Sequence, residues 1–188
     1  MLWIISIIAL LGLDQWSKWY FLTNKAQFEN FEVIKDFFYL TYLENRGAAF
    51  GILQNFRWVF IPLTLVAVAG MIWYFCKNRH LVIRLSLTLL IAGAVGNFID
   101  RLFRGFVVDF LHFYPFGYDF PIFNVADICV SVGVFFLVIY LIFIYKEPAG
   151  IETNKTAEDE VIKNEAEDNN DPENLNNSVE VTNGQGEN

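Results

Sequence analysis

Histidine is almost missing from this 188-residue sequence: His80 and His112 are the only two, far apart along the chain. A zinc site needs a cluster of ligands, so no metal centre is expected, nor any other cofactor. Serine catalysis lacks a plausible partner base for the same reason. Cysteine is equally scarce, and Cys76 and Cys129 make no disulfide framework. The spans described below put them near opposite faces of a bilayer, about 30 Å apart against a disulfide limit of roughly 7 Å. Both read as small core hydrophobes. A dense Lys/Arg patch is also missing, which excludes a strongly basic nucleic-acid binder.

Charge is present but unevenly placed. The formal net charge is −8, yet the last 42 residues, from Glu147, hold 12 acidic and 2 basic groups, which leaves +2 on the first 146. That last segment is rich in Asn, Glu and Asp, contains Pro172 and lacks aromatic residues. It is expected to be a disordered, solvated, cytoplasmic tail, residues 147–188, appended to a membrane domain, residues 1–146.

Four apolar stretches, residues 2–22, 58–76, 85–103 and 128–145, are long enough to cross a hydrocarbon core as helices. A cleavable signal peptide is a poor reading of the first, which has no basic n-region and no small-residue cleavage site. Lys77, Arg79 and Arg84 crowd the loop between the second and third spans, which places that loop in the cytoplasm, and Lys146 agrees. Both chain ends then lie inside, and the connections 23–57 and 104–124 lie outside. Residues 37–43 suit a strand near the membrane surface. In 104–124, Pro115, Gly117 and Pro121 force turns.

The second and fourth spans carry no charge, so the charges in the other two need a reason. Asp14 and Lys18 share a helix face at i, i+4, as do Asn97, Asp100 and Arg101. Asn45 and Arg46 precede the second span, Asp109 follows the third, and Asp127 opens the fourth with Asn124 one turn before it. Because helix direction alternates, all these groups gather in one leaflet. Gly93 and Gly96 beside Ala92 and Ala94 let helices approach closely there. If Asp109 and Asp127 meet in a low-dielectric pocket, they cannot both ionise comfortably. Sharing a proton, one acid would polarise a carbonyl while the other carboxylate activates water.

Five motifs occur in order: Asp14-Gln15-Trp16-Ser17-Lys18, Asn45-Arg46-Gly47-Ala48-Ala49-Phe50, Gly93-Ala94-Val95-Gly96-Asn97-Phe98-Ile99-Asp100-Arg101, Val107-Val108-Asp109-Phe110 and Phe123-Asn124-Val125-Ala126-Asp127. Together, over residues 1–146, they resemble lipoprotein signal peptidase, signal peptidase II. The resemblance implies a bacterial inner-membrane aspartic endopeptidase, globomycin-sensitive, that cuts prolipoproteins just before a diacylglyceryl-modified cysteine. It implies an all-α polytopic fold of four transmembrane helices with a small extracytoplasmic β-cradle and a flap. The catalytic dyad maps onto Asp109 and Asp127, and the supporting residues onto Asp14, Lys18, Asn45, Asn97, Asp100, Arg101 and Asn124. The expected partners are the diacylglyceryl prolipoprotein and membrane lipids, with the protein a monomer. The acidic tail is not part of the family core.

Simpler readings stand beside these. Asp109 and Asp127 could be two interfacial carboxylates, one capping the fourth helix. Asp14 and Lys18 read as a structural ion pair, and Asn97 and Asp100 lean the same way. Arg101 and Asn45 either orient substrate or brace the bundle, whereas Asn124 leans towards a role in the site. Trp16, Trp19 and Trp58 suit an interfacial belt. The alternative from another class is a small proton-coupled transporter or channel subunit, since intramembrane Asp, Arg and Lys also mark ion paths. A lipid-binding scaffold is a third possibility.

Overall fold

The polar residues that interrupt two of the apolar runs do not break their helices; they become the inward faces. The computed structural model describes residues 1–47 and 56–145. The acidic tail and Ala48-Ala49-Phe50 of the second motif lie outside the described residues. The order is helix α1 (Leu2–Thr23), strands β1 (Phe31–Ile34) and β2 (Phe38–Asn45), helices α2 (Arg57–Lys77) and α3 (Leu81–Phe103), strand β3 (Val107–Phe113) and helix α4 (Val125–Ile139). A π-helical turn, Tyr140–Ile144, continues α4.

Three helices among the described residues are long and apolar enough to cross a membrane: α2, α3 and α4 with its π-helical turn, of 21, 23 and 20 residues. The sequence expectation was four spans. Helix α1 is 22 residues long, but Asp14, Gln15 and Lys18 interrupt the apolar run in its second half. Its buried residues, Asp14, Ser17, Lys18 and Phe21, follow a helical stripe that packs on α3 and, at Phe21, on the segment Val107–Phe113.

Helix α3 is the centre, packed against α1, α2 and α4. One half buries Ile83, Leu87 and Ile91 at i, i+4, i+8, an apolar stripe of one face. The other half buries Gly93, Gly96 and Asp100. At Gly93 the neighbouring helix is so close that a Cβ would stand 2.4 Å from the Ala126 carbonyl oxygen. At Gly96 it would stand 2.5 Å from Asp14 Oδ2. The small residues therefore act as the sequence implied. Gly93→Ala is expected to cost about 1–3 kcal/mol through overpacking, read as a lowered unfolding midpoint in detergent.

A three-stranded antiparallel sheet, ordered β1-β2-β3, extends from this bundle. Strand β2 overlaps the expected strand 37–43. Strand β3 is a correction, because residues 104–124 read only as an outer connection with turns; Val107–Phe113 pairs along β2, with Leu43 opposite Asp109. The short strand alternates its side chains. Val108 and Phe110 enter a core with Phe21 and Phe28, and the rings of Phe21 and Phe110 stack 4.2 Å apart. Val107 and Asp109 point the other way, into a cavity.

The cysteines are both unpaired, but only Cys129 is buried; Cys76 is exposed, which corrects its reading as a core residue.

Candidate active site

The cavity, of about 270 Å³, is lined on its polar side by Asn45, Asn97, Arg101, Asp109 and Asp127. Val107, Phe120, Pro121, Ile122, Phe123 and Val130 form its apolar wall, and Ser131 also reaches it. Asp109 is supplied by β3 and Asp127 by the first turn of α4. The two carboxylates that sequence analysis paired thus line the same space.

Asn124 joins them. It is fully buried, and its Nδ2 donates to Asp109 Oδ1 at 2.6 Å. Its backbone N–H donates to Asp127 Oδ2 at 3.1 Å, while its Oδ1 accepts from the Asp127 N–H at 3.0 Å. The last two bonds form a capping box in which Asn124 is the cap and Asp127 the reciprocating partner. The simpler reading of an aspartate capping the fourth helix is met in part: Asn124 is the N-cap residue, and the Asp127 carboxylate closes the box from the third position. The other oxygen of Asp127 accepts from Asn97 Nδ2 at 2.8 Å, and the other oxygen of Asp109 accepts from Asn45 Nδ2 at 2.9 Å. Each aspartate is thereby held by two N–H donors.

Burial and amide donors act oppositely on Asp109. Burial disfavours its ionised form first, and the Asp127 charge adds to that, whereas Asn45 and Asn124 favour it. Burial prevails, and the Asp109 carboxyl is pushed up to about 7. It can hold a proton near neutrality and still release it, which suits a general acid.

The remaining sequence-selected residues form a support beneath this pair. Lys18, fully buried, bonds Asp14 Oδ2 at 2.9 Å, Asp100 Oδ2 at 3.0 Å and Asn97 Oδ1 at 2.8 Å. Asn97 hands that constraint on to Asp127. Asp14 reaches across to the N–H of Ala126 at 2.9 Å, tying α1 to the start of α4. Asp100 accepts from the Val108 N–H at 3.4 Å and pairs with Arg104. Asp14, Lys18 and Asp100 touch no cavity-lining acid directly; they connect to the pair through Asn97 and the start of α4. Arg101 donates to the Gly47 carbonyl at 3.1 Å and lies 5.1 Å from the Phe60 ring centroid while also lining the cavity. It braces and faces the site at once.

Two contributors were missed. Gln15 donates to Asp14, to the Gly96 carbonyl and to Asp100, and Arg104 bonds Asp100 and Gln15. Gln15 sat within a quoted motif, and Arg104 follows Asp100 at i, i+4, so the signal was there. His112, which stood alone in the sequence, pairs through Nε2 with Asp119 Oδ1 at 2.7 Å. No cluster of three metal-ligating side chains occurs among the described residues.

Comparison with known proteins points the same way as the geometry. The family model described as Signal peptidase (SPase) II matches residues 6–143. A lipoprotein signal peptidase of Symbiobacterium thermophilum is 46% identical over 149 residues, covering 78% of this chain and 98% of its own length. One from Clostridioides difficile is 46% identical over 144 residues, covering 76% and 96%. Among solved structures, a bacterial membrane enzyme determined by the in meso method superposes with a TM-score of 0.71 at 37% identity, covering 78% of this chain and 93% of that one.

Proposed function

This chain belongs to the signal peptidase II family, and we propose that it performs the family's work as an aspartic endopeptidase with Asp109 and Asp127 as the catalytic pair. It is a membrane peptidase whose substrates are lipoprotein precursors. The transporter reading gains no support: the buried charges collect towards one end of α1 and α3, whereas a transport path needs polar groups across the midplane.

The observation that carries the reading is the single cavity holding two acids joined through Asn124. Protonated Asp109 donates to the carbonyl oxygen of the scissile peptide bond. Asp127, held by the N–H groups of Asn97 and Asn124, takes a proton from water as that water attacks the carbonyl carbon. The resulting tetrahedral centre collapses as Asp127 passes its new proton to the leaving amine nitrogen and the C–N bond breaks. A hydroxyl of the centre returns a proton to Asp109, leaving a carboxyl product and both aspartates in their starting states. No covalent bond to the enzyme forms. Arg101 supplies donors for the peptide backbone at the cavity edge.

The cavity walls suit the substrate class. A signal peptide's apolar segment and a diacylglyceryl group both reach the enzyme from within the bilayer, so an apolar wall beside two acids fits the bond just before the lipidated cysteine. We assign α1 as a fourth span, buried polar face inward, with both chain ends in the cytoplasm and the site near the extracytoplasmic face of the bacterial inner membrane. Residues 1–146 form the working domain, with 147–188 an appendage.

The pH dependence follows in sign. The ratio kcat/KM should fall as pH rises through about 7, where Asp109 loses its proton. Asn45→Ala removes a bond that favours the ionised form, so the falling limb should move to higher pH. Profiles of wild type and variant across neutrality check this, and a limb moving towards acid would contradict it.

A further inference from the structure

A second cavity, of about 330 Å³, is lined by Arg46, Arg57, Arg104 and Gly105 and takes no part in the chemistry above. Three guanidinium groups in one space repel each other unless an anion joins them. Two are partly neutralised: Arg46 pairs with Glu44 at 3.0 Å, and Arg104 with Asp100, a carboxylate it shares with Lys18. Among the described residues Arg57 has no carboxylate partner. Its guanidinium lies 4.7 Å from the Trp58 ring centroid. It also lies against the backbone at Gly105, where φ is +83° and a Cβ would stand 2.7 Å from Arg57 Nη1. A side chain at position 105 would displace the group, so the glycine keeps the arginine at the cavity.

The start of α2 adds to this. Arg57 is its first residue, and the preceding Phe56 gives no side-chain acceptor to the opening N–H groups. The positive end of a 21-residue helix therefore stands beside the three arginines.

We propose that this pocket binds a phosphate group, presented by an anionic phospholipid headgroup. Planar guanidinium forks approaching from three elements match a tetrahedral phosphate, whose oxygens point in several directions, better than a planar carboxylate. The depth fits a headgroup: Arg57 opens one membrane-crossing helix and Arg104 follows the end of another. The lipid is not the substrate's own, because a diacylglyceryl thioether carries no phosphate. The pocket adjoins the catalytic site through the chain, since Asn45 and Gly47, on either side of Arg46, bond Asp109 and Arg101. The binding claim does not depend on the assignment of the catalytic pair.

The test titrates the purified full-length chain in neutral detergent with phosphatidylglycerol, phosphatidylcholine and inorganic phosphate, reading bound adducts by native mass spectrometry. Phosphatidylglycerol should bind with defined stoichiometry and phosphatidylcholine far more weakly, because its trimethylammonium group meets the arginines. Arg57→Ala should weaken phosphatidylglycerol binding about tenfold, the scale of losing one charge-assisted contact. Arg79→Ala, which removes the same charge outside the pocket, should leave it unchanged. Retained prolipoprotein cleavage in detergent shows that Arg57→Ala is folded, and Arg46→Ala gives a second reading of the pocket. Arg57-dependent binding of inorganic phosphate without phosphatidylglycerol would support the site with a soluble phosphate as its occupant. Phosphatidylglycerol binding that is indifferent to Arg57 and Arg46, or reduced equally by Arg79→Ala, would overturn the proposal.

Discussion

Asp109→Asn and Asp127→Asn are each expected to lower prolipoprotein cleavage by about 10²–10⁴-fold while the protein stays folded. The two effects arise differently. At Asp109 an amide fills the same volume and can still accept from one of Asn45 and Asn124, but it no longer gives a proton to the carbonyl. At Asp127 the amide no longer accepts a proton from water, and half of the capping box is weakened. Asp127→Asn should therefore also lose up to about 1 kcal/mol of stability, the scale of a helix cap. Asp109→Asn should lose less, since Asp109 sits on a strand and closes no helix cap. Rates measured with the purified variants, beside their unfolding midpoints, separate chemistry from folding. The double variant should be scarcely slower than either single one, because the two acids act as a unit.

Lys18→Met is expected to give the largest loss of stability, about 3–5 kcal/mol, the cost of leaving a buried charge without its partner. The asymmetry of the network says which charge suffers. Asp100 keeps Arg104 and the Val108 N–H, whereas Asp14 loses its lysine and keeps only neutral donors. Adding Asp14→Asn to Lys18→Met should therefore recover part of the loss, and Asp100→Asn should recover less. The loosened Asn97 carbonyl should also slow cleavage, because Asn97 positions Asp127. By contrast, Arg46→Ala breaks a half-exposed pair and should change stability by no more than about 1 kcal/mol. Chemical unfolding in detergent compares the series. A Lys18→Met variant as stable as wild type would show that the buried charges do not hold the helices together.

The sequence made the convergence of polar groups legible because helix geometry is periodic. Spacing alone put Asp14 with Lys18 and Asn97 with Asp100 and Arg101, and chain parity put both sets at one end of the bundle. The close approach at Gly93 and Gly96 was readable for the same reason. Strand β3 was not, because Val107–Phe113 lacks a polar alternation: Val108 and Phe110 fill one core while Val107 lines a cavity, so both faces are apolar or buried. The role of Asn124 was only half visible. Its spacing to Asp127 signals a capping box, but the bond to Asp109 arises only when the chain returns to pair Phe123 with Phe110 and Leu111 of β3, a contact that no local spacing encodes. The arginine pocket was hidden likewise, since Arg46, Arg57 and Arg104 come from three separate elements.

Direct attack by water, with no covalent intermediate on the enzyme, is the central claim. The closest test cleaves a diacylglyceryl-modified prolipoprotein in proteoliposomes containing hydroxylamine and ¹⁸O-labelled water, with mass analysis of the released signal peptide. The expected result is a free carboxylate carrying one solvent oxygen, with the cut immediately before the lipidated cysteine and no hydroxamate. Formation of signal-peptide hydroxamate would reveal an acyl-enzyme, and full cleavage by a folded Asp109→Asn or Asp127→Asn protein would remove the dyad; either result would contradict the mechanism.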